Sequence, residues 1–172
     1  MVVWLIGLSG AGKTTLARQI VARVRERSPN VVLVDGDAVR ELFGNDLGHS
    51  LEDRRRNAER IARLCKYLDD QGIHVVCAIL SLFPETRDWC RRNCSAYYEV
   101  FIDAPTAQLV ARDAKGIYGR YERSEIRNVA GMDLPFPVPT SPDLVIRNDA
   151  ALNALLRHAG PIASRIMEGG RQ

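Results

Sequence analysis

Short apolar runs alternate with segments of helical periodicity along the whole chain. The runs occupy residues 2–6, 31–34, 75–80, 99–102 and 143–146. Runs this short that are apolar throughout are typical of strands buried on both faces. The remaining segments predict helices at about 13–27, 37–43, 51–71, from about 105, and at about 149–168. Because strands alternating with helices form parallel sheets, we predict a three-layer α/β fold: a five-stranded parallel sheet with helices on both faces.

Residues 114–142 depart from this alternation. They combine basic residues and glycines with four prolines, at positions 135, 137, 139 and 142. We predict a long ordered loop here, and loops of this length in a compact domain are usually lids or binding loops. The 172 residues fit a single domain, 1–172, that contains this loop.

Composition and charge exclude several classes of protein. The net charge of +3 is too small to indicate a nucleic-acid or acidic-membrane partner. The apolar N-terminus lacks the basic residues and cleavage site of a signal peptide, and no apolar run approaches the roughly 20 residues that span a bilayer. We therefore expect a soluble, cytoplasmic protein without a membrane partner. The four cysteines form no C-x-x-C pair, so we expect reduced thiols.

The residues after the first apolar run match the phosphate-binding pattern G-x-x-x-x-G-K-[ST]. Gly7-Leu-Ser-Gly-Ala-Gly-Lys-Thr14 lies between a predicted strand and a predicted helix, which is the context this pattern requires. Its glycines let backbone N–H groups point at phosphate oxygens, and the helix N-terminus adds partial positive charge. Lys13 is expected to reach the β- and γ-phosphates of ATP, and Thr14 to ligate Mg²⁺. The predicted ATP-binding set here is Gly7, Ser9, Gly10, Ala11, Gly12, Lys13, Thr14 and Thr15.

Two carboxylates follow the second apolar run, in Asp35-Gly36-Asp37. Ligands of open α/β sheets bind at the carboxyl ends of strands, so these side chains should lie beside the phosphate loop. One could orient Mg²⁺ and the other could accept a proton from a substrate hydroxyl. The alternative is that both are turn and helix-cap residues. The chain has no NKxD motif for guanine and is too short for a motor, which favours a small-molecule kinase.

Four segments together resemble the adenylylsulfate kinase family. They are GLSGAGKTT (7–15), VDGDAVR (34–40), NDLGHSLEDRRRN (45–57) and RDAKGIYGRYERSEIRNVAG (112–131). The resemblance runs in order over residues 2–146. It implies a P-loop kinase fold, a homodimer, a lid over the nucleotides, and transfer of the γ-phosphate of MgATP to the 3′-hydroxyl of a small-molecule nucleotide acceptor, adenosine 5′-phosphosulfate.

The resemblance also implies roles for individual residues. Lys13, Asp35, Asp37 and Arg112 would be catalytic, and Thr14 with Asp35 would hold the metal. Arg112 would bind ATP and neutralise charge on the transferred phosphoryl group, as part of a lid motif with Lys115, Gly116 and Tyr118. The acceptor would contact Asp37, Arg40, His49, Arg54, Asn57, Ser81, Lys115 and Val129.

Residues 54–57 also carry evidence of their own. Arg54 and Asn57 are three positions apart and share a helical face. An arginine fork suits a phosphate-bearing acceptor. The alternative for Arg54, Arg55 and Arg56 is a solvated helix surface with a Glu52–Arg56 pair. We predict that surface role for Arg55 and Arg56 only.

Three departures from the family pattern concern the acceptor. The family has phenylalanines where this chain has His49 and Val129, and the resemblance implies that they sandwich the adenine. After Ser81 the family continues P-Y-R, whereas this chain continues Leu82-Phe83-Pro84 and has its next arginine at Arg87. The changes suit a smaller base, such as the pyrimidine of cytidine diphosphoramidate, which relatives of the family phosphorylate. The alternatives are an exposed His49, a packed Val129, a non-catalytic nucleotide-binding regulator, or a kinase for a sugar.

Overall fold

A five-stranded parallel sheet forms the centre of the computed structural model, which describes residues 1–113, 115–149 and 151–169. The sheet has the order β2-β3-β1-β4-β5, and every neighbouring pair is parallel. This confirms the predicted sheet. The strands are β1 (Val2–Ile6), β2 (Val31–Asp35), β3 (His74–Ile79), β4 (Tyr97–Asp103) and β5 (Leu144–Arg147).

Helices connect the strands and extend beyond the last of them. None of the described helices combines the length and apolarity that crossing a lipid bilayer requires. The helices are α1 (Lys13–Arg25), α2 (Gly36–Leu42), α3 (Leu51–Asp70), α4 (Pro84–Asn93), α5 (Thr106–Arg112), α6 (Ile117–Glu122), α7 (Leu152–Leu156) and α8 (Ala159–Gly169).

Alternate side chains of β1 enter two separate apolar layers. Val3 and Leu5 pack with α1 and α8 on one face of the sheet. Val2, Trp4 and Ile6 pack with α3 and α4 on the other face. Successive strand residues point to opposite faces, so a strand covered on both sides must be apolar throughout. This confirms the three-layer prediction.

The structure differs from the sequence prediction at three helices. The hydrophobic pattern does not predict α4, because its buried residues include Thr86 and Arg87. Helix α6 lies inside the predicted loop at 114–142, so the loop prediction is wrong for those residues. The predicted helix at 149–168 is two helices, because Leu155 of α7 packs over Gly12 while α8 packs along α1. Ala114 and Ala150, at the start of these regions, lie outside the described residues.

The carboxyl ends of four strands meet at one edge of the sheet. Strand β1 continues into the phosphate loop, residues 7–12, and β2 ends at Asp35. Strand β3 leads to Ser81, and β5 leads to Asn148. In parallel sheets this edge is where ligands bind.

Candidate active site

A cavity of about 570 Å³ opens at this edge and brings most of the predicted site residues together. Its lining extends from the phosphate loop at one end to α3 at the other. Gly7, Ala11 and Val129 are predicted site residues that do not line it. The predicted residues that do are Ser9, Gly10, Gly12, Lys13, Thr14, Thr15, Asp35, Asp37, Arg40, His49, Arg54, Asn57, Ser81, Arg112 and Lys115.

Two glycines shape the phosphate loop, and a side chain at either position would collide with neighbouring atoms. Gly12 has φ of 95°, and a Cβ there would lie 2.6 Å from Leu155 Cδ2. A Cβ on Gly7 would lie 2.7 Å from the carbonyl oxygen of Ile102. Gly12 is the N-cap of α1 and has no side chain that could bind the first N–H groups of the helix. Those N–H groups therefore stay available to an anion.

The Lys13 side chain folds back onto the phosphate loop. Its Nζ donates a hydrogen bond to the carbonyl oxygen of Leu8 at 2.8 Å. Burial, and then the positive charge of Lys115, lower the pKa of Lys13 to about 8. The carboxylates of Asp37 and Asp35 oppose this shift. An anion bound in the loop would favour the charged ammonium, since opposite charge stabilises it.

Thr14 and Asp35 meet at the position predicted for a metal. The Thr14 hydroxyl donates to Asp35 Oδ2 at 2.6 Å, and Asp35 Oδ1 accepts from the backbone N–H of Asp37 at 3.0 Å. Asp35 is therefore also the N-cap of α2. A hydroxyl and a carboxylate oxygen side by side are ligands that Mg²⁺ prefers, so the residues present fit that ion.

Asp37 pairs with Lys115, a residue of the predicted lid 78 positions later in the chain. Partial burial raises the pKa of Asp37, but the Lys115 hydrogen bond and the charges of Lys115, Lys13 and Arg40 outweigh it and lower the pKa overall. Asp37 is therefore a carboxylate at neutral pH. The contact holds Lys115 against the ligand-binding edge of the sheet.

Arg40 and Arg54 line the cavity and also bind backbone carbonyls around it. Arg40 Nη1 donates to the carbonyl oxygens of Leu47 and Gly48 at 3.1 and 2.9 Å. Arg54 donates from Nε to the His49 carbonyl at 3.1 Å and from Nη2 to the Asn128 carbonyl at 3.0 Å. The two guanidinium groups thus tie the loop before α3 and the segment near residue 128 to the cavity wall.

The two positions at which this chain lacks the family's phenylalanines lie in different surroundings. His49 is largely exposed at the cavity mouth, and its partial burial, together with the charges of Arg54 and Arg40, lowers its pKa. Its imidazole is therefore neutral at pH 7. Val129 is 5% exposed and packs in the apolar layer beside α1. A contact between Val129 and the acceptor stays a prediction.

Neighbouring residues of α3 have contrasting roles. Asn57 is buried and lines the cavity, and its Oδ1 has no hydrogen-bond partner within the described part of the chain. Such an atom can accept an N–H or O–H from a ligand. Arg55 faces outward, pairs with Glu85 and lies 4.4 Å from the centre of the Phe83 ring. Arg56 is exposed, and the expected Glu52–Arg56 ion pair does not occur between those described side chains.

Asn148 is a residue of the site that the sequence analysis missed. It is 5% exposed, and its Nδ2 donates to the carbonyl oxygen of Ala11 in the phosphate loop at 2.9 Å. Arg112 Nη2 lies 3.5 Å from the Asn148 carbonyl oxygen and donates to Gln108 Oε1 at 2.8 Å. A polar residue two positions after the fifth apolar run was the available signal, because that run ends at the ligand-binding edge.

The lid motif also braces the phosphate loop. The hydroxyl of Tyr118, on α6, donates to the carbonyl oxygen of Ser9 at 2.9 Å. The Asp113 carboxylate accepts from the backbone N–H groups of Tyr118 and Gly119 at 3.1 and 2.8 Å. Gly116 precedes α6 with φ of 64°, the left-handed conformation that glycine adopts without strain.

Known proteins share both the sequence and this architecture. The family model described as adenylylsulphate kinase matches residues 1–147. A probable adenylyl-sulfate kinase from Pseudomonas aeruginosa is 38% identical over 146 residues, covering 85% of this chain and 68% of that protein. A cytidine diphosphoramidate kinase from Campylobacter jejuni is 36% identical over 155 residues, covering 88% of both.

A solved structure extends the similarity to the fold. The Mycobacterium tuberculosis APS kinase CysC in complex with AMPPNP and APS matches with a TM-score of 0.86 at 31% identity, covering 97% of this chain and 96% of that one. With the family match over residues 1–147, this accounts for the sheet and the phosphate loop together. The chain belongs to the adenylylsulfate kinase family of P-loop kinases and is an ATP-dependent nucleotide kinase.

Proposed function

We propose that this kinase transfers the γ-phosphate of ATP to the ribose 3′-hydroxyl of a nucleotide whose 5′ side carries a phosphate-linked group. One observation carries the proposal. A single cavity holds Lys13 and the phosphate loop at one end, Arg40, Arg54 and Asn57 at the other, and Asp37 in its lining. Donor phosphates and an acceptor hydroxyl bound in one cavity can meet without release of either.

The donor half supplies charge for phosphoryl transfer. The N–H groups at the start of α1 and the Lys13 ammonium would bind the β- and γ-phosphates, and Arg112 would reach the transferred group. Thr14 and Asp35 would hold Mg²⁺, which neutralises phosphate charge when it is bound. Preorganised positive groups of this kind supply most of the catalysis in phosphoryl transfer, because the protein makes no covalent bond.

Asp37 is the better placed of the two aspartates to accept the proton of the acceptor hydroxyl. Both oxygens of Asp35 are already engaged, by the Thr14 hydroxyl and by the backbone N–H of Asp37. Asp37 pairs instead with Lys115, whose charge would be drawn to bound phosphates. Binding of substrates would thus release Asp37 to orient the hydroxyl and take its proton.

Two nucleotides are candidates for the acceptor substrate, and different observations favour each of them. Adenosine 5′-phosphosulfate is favoured by the family and by the solved structure that binds it. Cytidine diphosphoramidate is favoured by the similarity to the Campylobacter jejuni enzyme and by the site itself. His49 offers a smaller stacking surface than phenylalanine, and Val129 lies in the core rather than in the cavity lining.

Activity assays with each of the two acceptors test the proposal. The purified protein is incubated with MgATP and either acceptor, and ADP release is measured together with the mass of the phosphorylated nucleotide. We expect a product one phosphate heavier, and nuclear magnetic resonance should locate that phosphate on the 3′-oxygen. Turnover of one acceptor with a much larger kcat/KM identifies the substrate. Absence of turnover with both acceptors, in protein that binds ATP, would overturn the proposal and favour a nucleotide-binding regulator.

The proposal also covers the domain organisation, the lid and the oligomeric state. We propose that residues 1–172 act as one kinase domain whose segment 114–142 closes over the nucleotides, and that two copies form a homodimer. The Lys115–Asp37 and Tyr118–Ser9 contacts support a lid role for the first part of that segment. Size-exclusion chromatography with light scattering measures the assembly, and a monomer mass would exclude the dimer.

A further inference from the structure

A buried arginine contacts the wall of the cavity without lining the cavity itself. Arg87 lies on α4, is 6% exposed and is absent from the cavity lining. Its Nη1 donates a hydrogen bond to the carbonyl oxygen of Ser81 at 3.1 Å. Ser81 does line the cavity, just beyond the end of β3. Arg87 therefore contacts the wall of the site without facing a ligand.

Ser81 has a backbone conformation that needs such support. Its φ is 59°, in the left-handed region that residues with a Cβ seldom adopt. Such residues persist where their surroundings determine the conformation, and they are concentrated at functional sites. Two buried groups hold Ser81: the Arg87 guanidinium on its carbonyl oxygen and the Trp4 indole N–H, which donates to its Oγ at 3.2 Å.

Arg87 is itself held by a buried carboxylate. Glu99, on β4, is 5% exposed, and its Oε1 lies 3.6 Å from Arg87 Nε. The Tyr97 hydroxyl donates to Glu99 Oε2 at 2.9 Å, and Arg91 Nη2 lies 3.7 Å from the same oxygen. Only a guanidinium fork offers rigidly spaced donors that can face a carboxylate and a carbonyl at once.

Stability does not account for this arrangement. A buried ion pair contributes about as much to folding as an apolar pair of similar volume, and often less. Here the pair also places a charged arginine on the buried face of α4, where an apolar residue would pack at no desolvation cost. What the arginine adds over an apolar residue is the hydrogen bond to Ser81.

We propose that Arg87, anchored by Glu99, is a positioning residue for the acceptor half of the site. It fixes the left-handed conformation of Ser81 and thereby sets where Ser81, Leu82 and Phe83 face the cavity, all three of which line it. The proposal rests on the proposed function, because it assigns the acceptor to this wall. It predicts that loss of Arg87 weakens acceptor binding and leaves ATP binding intact.

Two variants and one control test the proposal. Arg87→Lys keeps a cation beside Glu99 but loses the fork, and Arg87→Met/Glu99→Leu removes both charges so that neither remains buried alone. Arg91→Met is the matched control: Arg91 lies one turn further along α4 and also approaches Glu99, but the structure shows no bond from it to the described cavity-lining residues. Steady-state kinetics are measured with ATP and with whichever of adenosine 5′-phosphosulfate or cytidine diphosphoramidate the unmodified enzyme phosphorylates.

We expect both Arg87 variants to raise KM for the acceptor about tenfold, the effect of one lost hydrogen bond together with a relaxed wall. KM for ATP should stay within about twofold, as should both constants in Arg91→Met. Equal rises in both KM values would indicate a structural role only and overturn the proposal, as would an unchanged acceptor KM. If the double variant does not fold, Arg87→Lys decides alone.

A crystal structure of Arg87→Lys separates this proposal from the proposed function. We expect Ser81 to leave the left-handed region or to become disordered. If the unmodified enzyme phosphorylates neither acceptor, the proposed function fails, and the conformation of Ser81 still decides whether Arg87 positions it. A Ser81 that keeps its φ near the present 59° in that variant would overturn the positioning role.

Discussion

The two ends of the cavity are built in different ways. At the donor end, consecutive residues 7–15 supply both the phosphate loop and the start of α1, and the shape of the loop follows from its glycines. At the acceptor end, residues from four separate segments meet, and arginines tie them together through backbone carbonyls. The donor end is thus a local structure that Tyr118 and Asn148 brace from outside, whereas the acceptor end is assembled by tertiary contacts throughout. Changes at the donor end should affect every acceptor equally, and changes at the acceptor end should alter the choice between acceptors.

The largest effect is expected from Lys13→Met. Methionine preserves much of the side-chain volume but removes the ammonium that would bind the β- and γ-phosphates. We expect kcat/KM to fall about 10³-fold with either acceptor, the loss typical of a preorganised charged donor. Thermal unfolding should show no loss of stability, since the variant no longer buries a charge. Steady-state kinetics with both acceptors check the result, with Arg18→Met on the exposed side of α1 as the control.

A fall with one acceptor only would contradict the assignment of Lys13 to the donor end. It would mean that Lys13 contacts the acceptor instead. A loss of the same size in Arg18→Met would show that the helix, rather than the ammonium, is responsible.

Asp37→Asn should have the next largest effect. Asparagine is nearly isosteric, but it cannot accept the proton of the acceptor hydroxyl. We expect kcat to fall about 10²-fold while the KM values change little, because general-base catalysis contributes in the transition state. Asp53→Asn is the control: at the start of α3 the Asp53 carboxylate accepts a hydrogen bond from the Ser50 hydroxyl and the Asp53 backbone N–H donates to Ser50 Oγ, and Asp53 does not line the cavity. An unchanged kcat in Asp37→Asn, with a full loss in Asp35→Asn, would transfer the base role to Asp35.

Much of the donor end could be predicted from the sequence, and less of the acceptor end. The phosphate loop and the strands are short-range patterns of glycine and apolar residues, so no knowledge of the fold is needed to find them. Asn148 contacts Ala11, 137 positions away, so its neighbours in sequence do not reveal that contact at the donor end. At the acceptor end Arg87 lies only six positions from Ser81, but its hydrogen bond depends on how α4 packs against the end of β3. The burial of Val129 likewise depends on tertiary packing. Position 49 could be identified as altered from the sequence, with exposure as one alternative, but its place in the cavity lining depends on the fold.

A smaller effect is expected from pH, which should act at the donor end through the protonation of Lys13. Lys13 is charged below its pKa of about 8 and neutral above it, so the free enzyme loses the ammonium as the pH rises. We expect kcat/KM for ATP to fall about tenfold per pH unit above that pKa, since this constant reports groups of the free enzyme. Lys115→Met should move the inflection upward, because the charge of Lys115 contributes to the lowered pKa of Lys13. An inflection that stays in place would contradict that electrostatic coupling.

The smallest effect, and the one that bears most directly on the acceptor, is expected from His49→Phe. The variant restores an aromatic ring of the family type at the cavity mouth, while Val129 still leaves the opposite position without one. Stacking of a base on an aromatic ring contributes about 1–3 kcal/mol. Because the variant supplies a ring on one side of the base only, we expect a stacking energy at the lower end of that range. We expect the ratio of kcat/KM for adenosine 5′-phosphosulfate over cytidine diphosphoramidate to rise about fivefold. His158→Phe, on a histidine outside the cavity lining, should leave the ratio unchanged.

A ratio that falls in His49→Phe would mean that the imidazole already favours the larger base through its ring nitrogens. The acceptor end would then be adapted to adenine by hydrogen bonding rather than reduced to fit a pyrimidine.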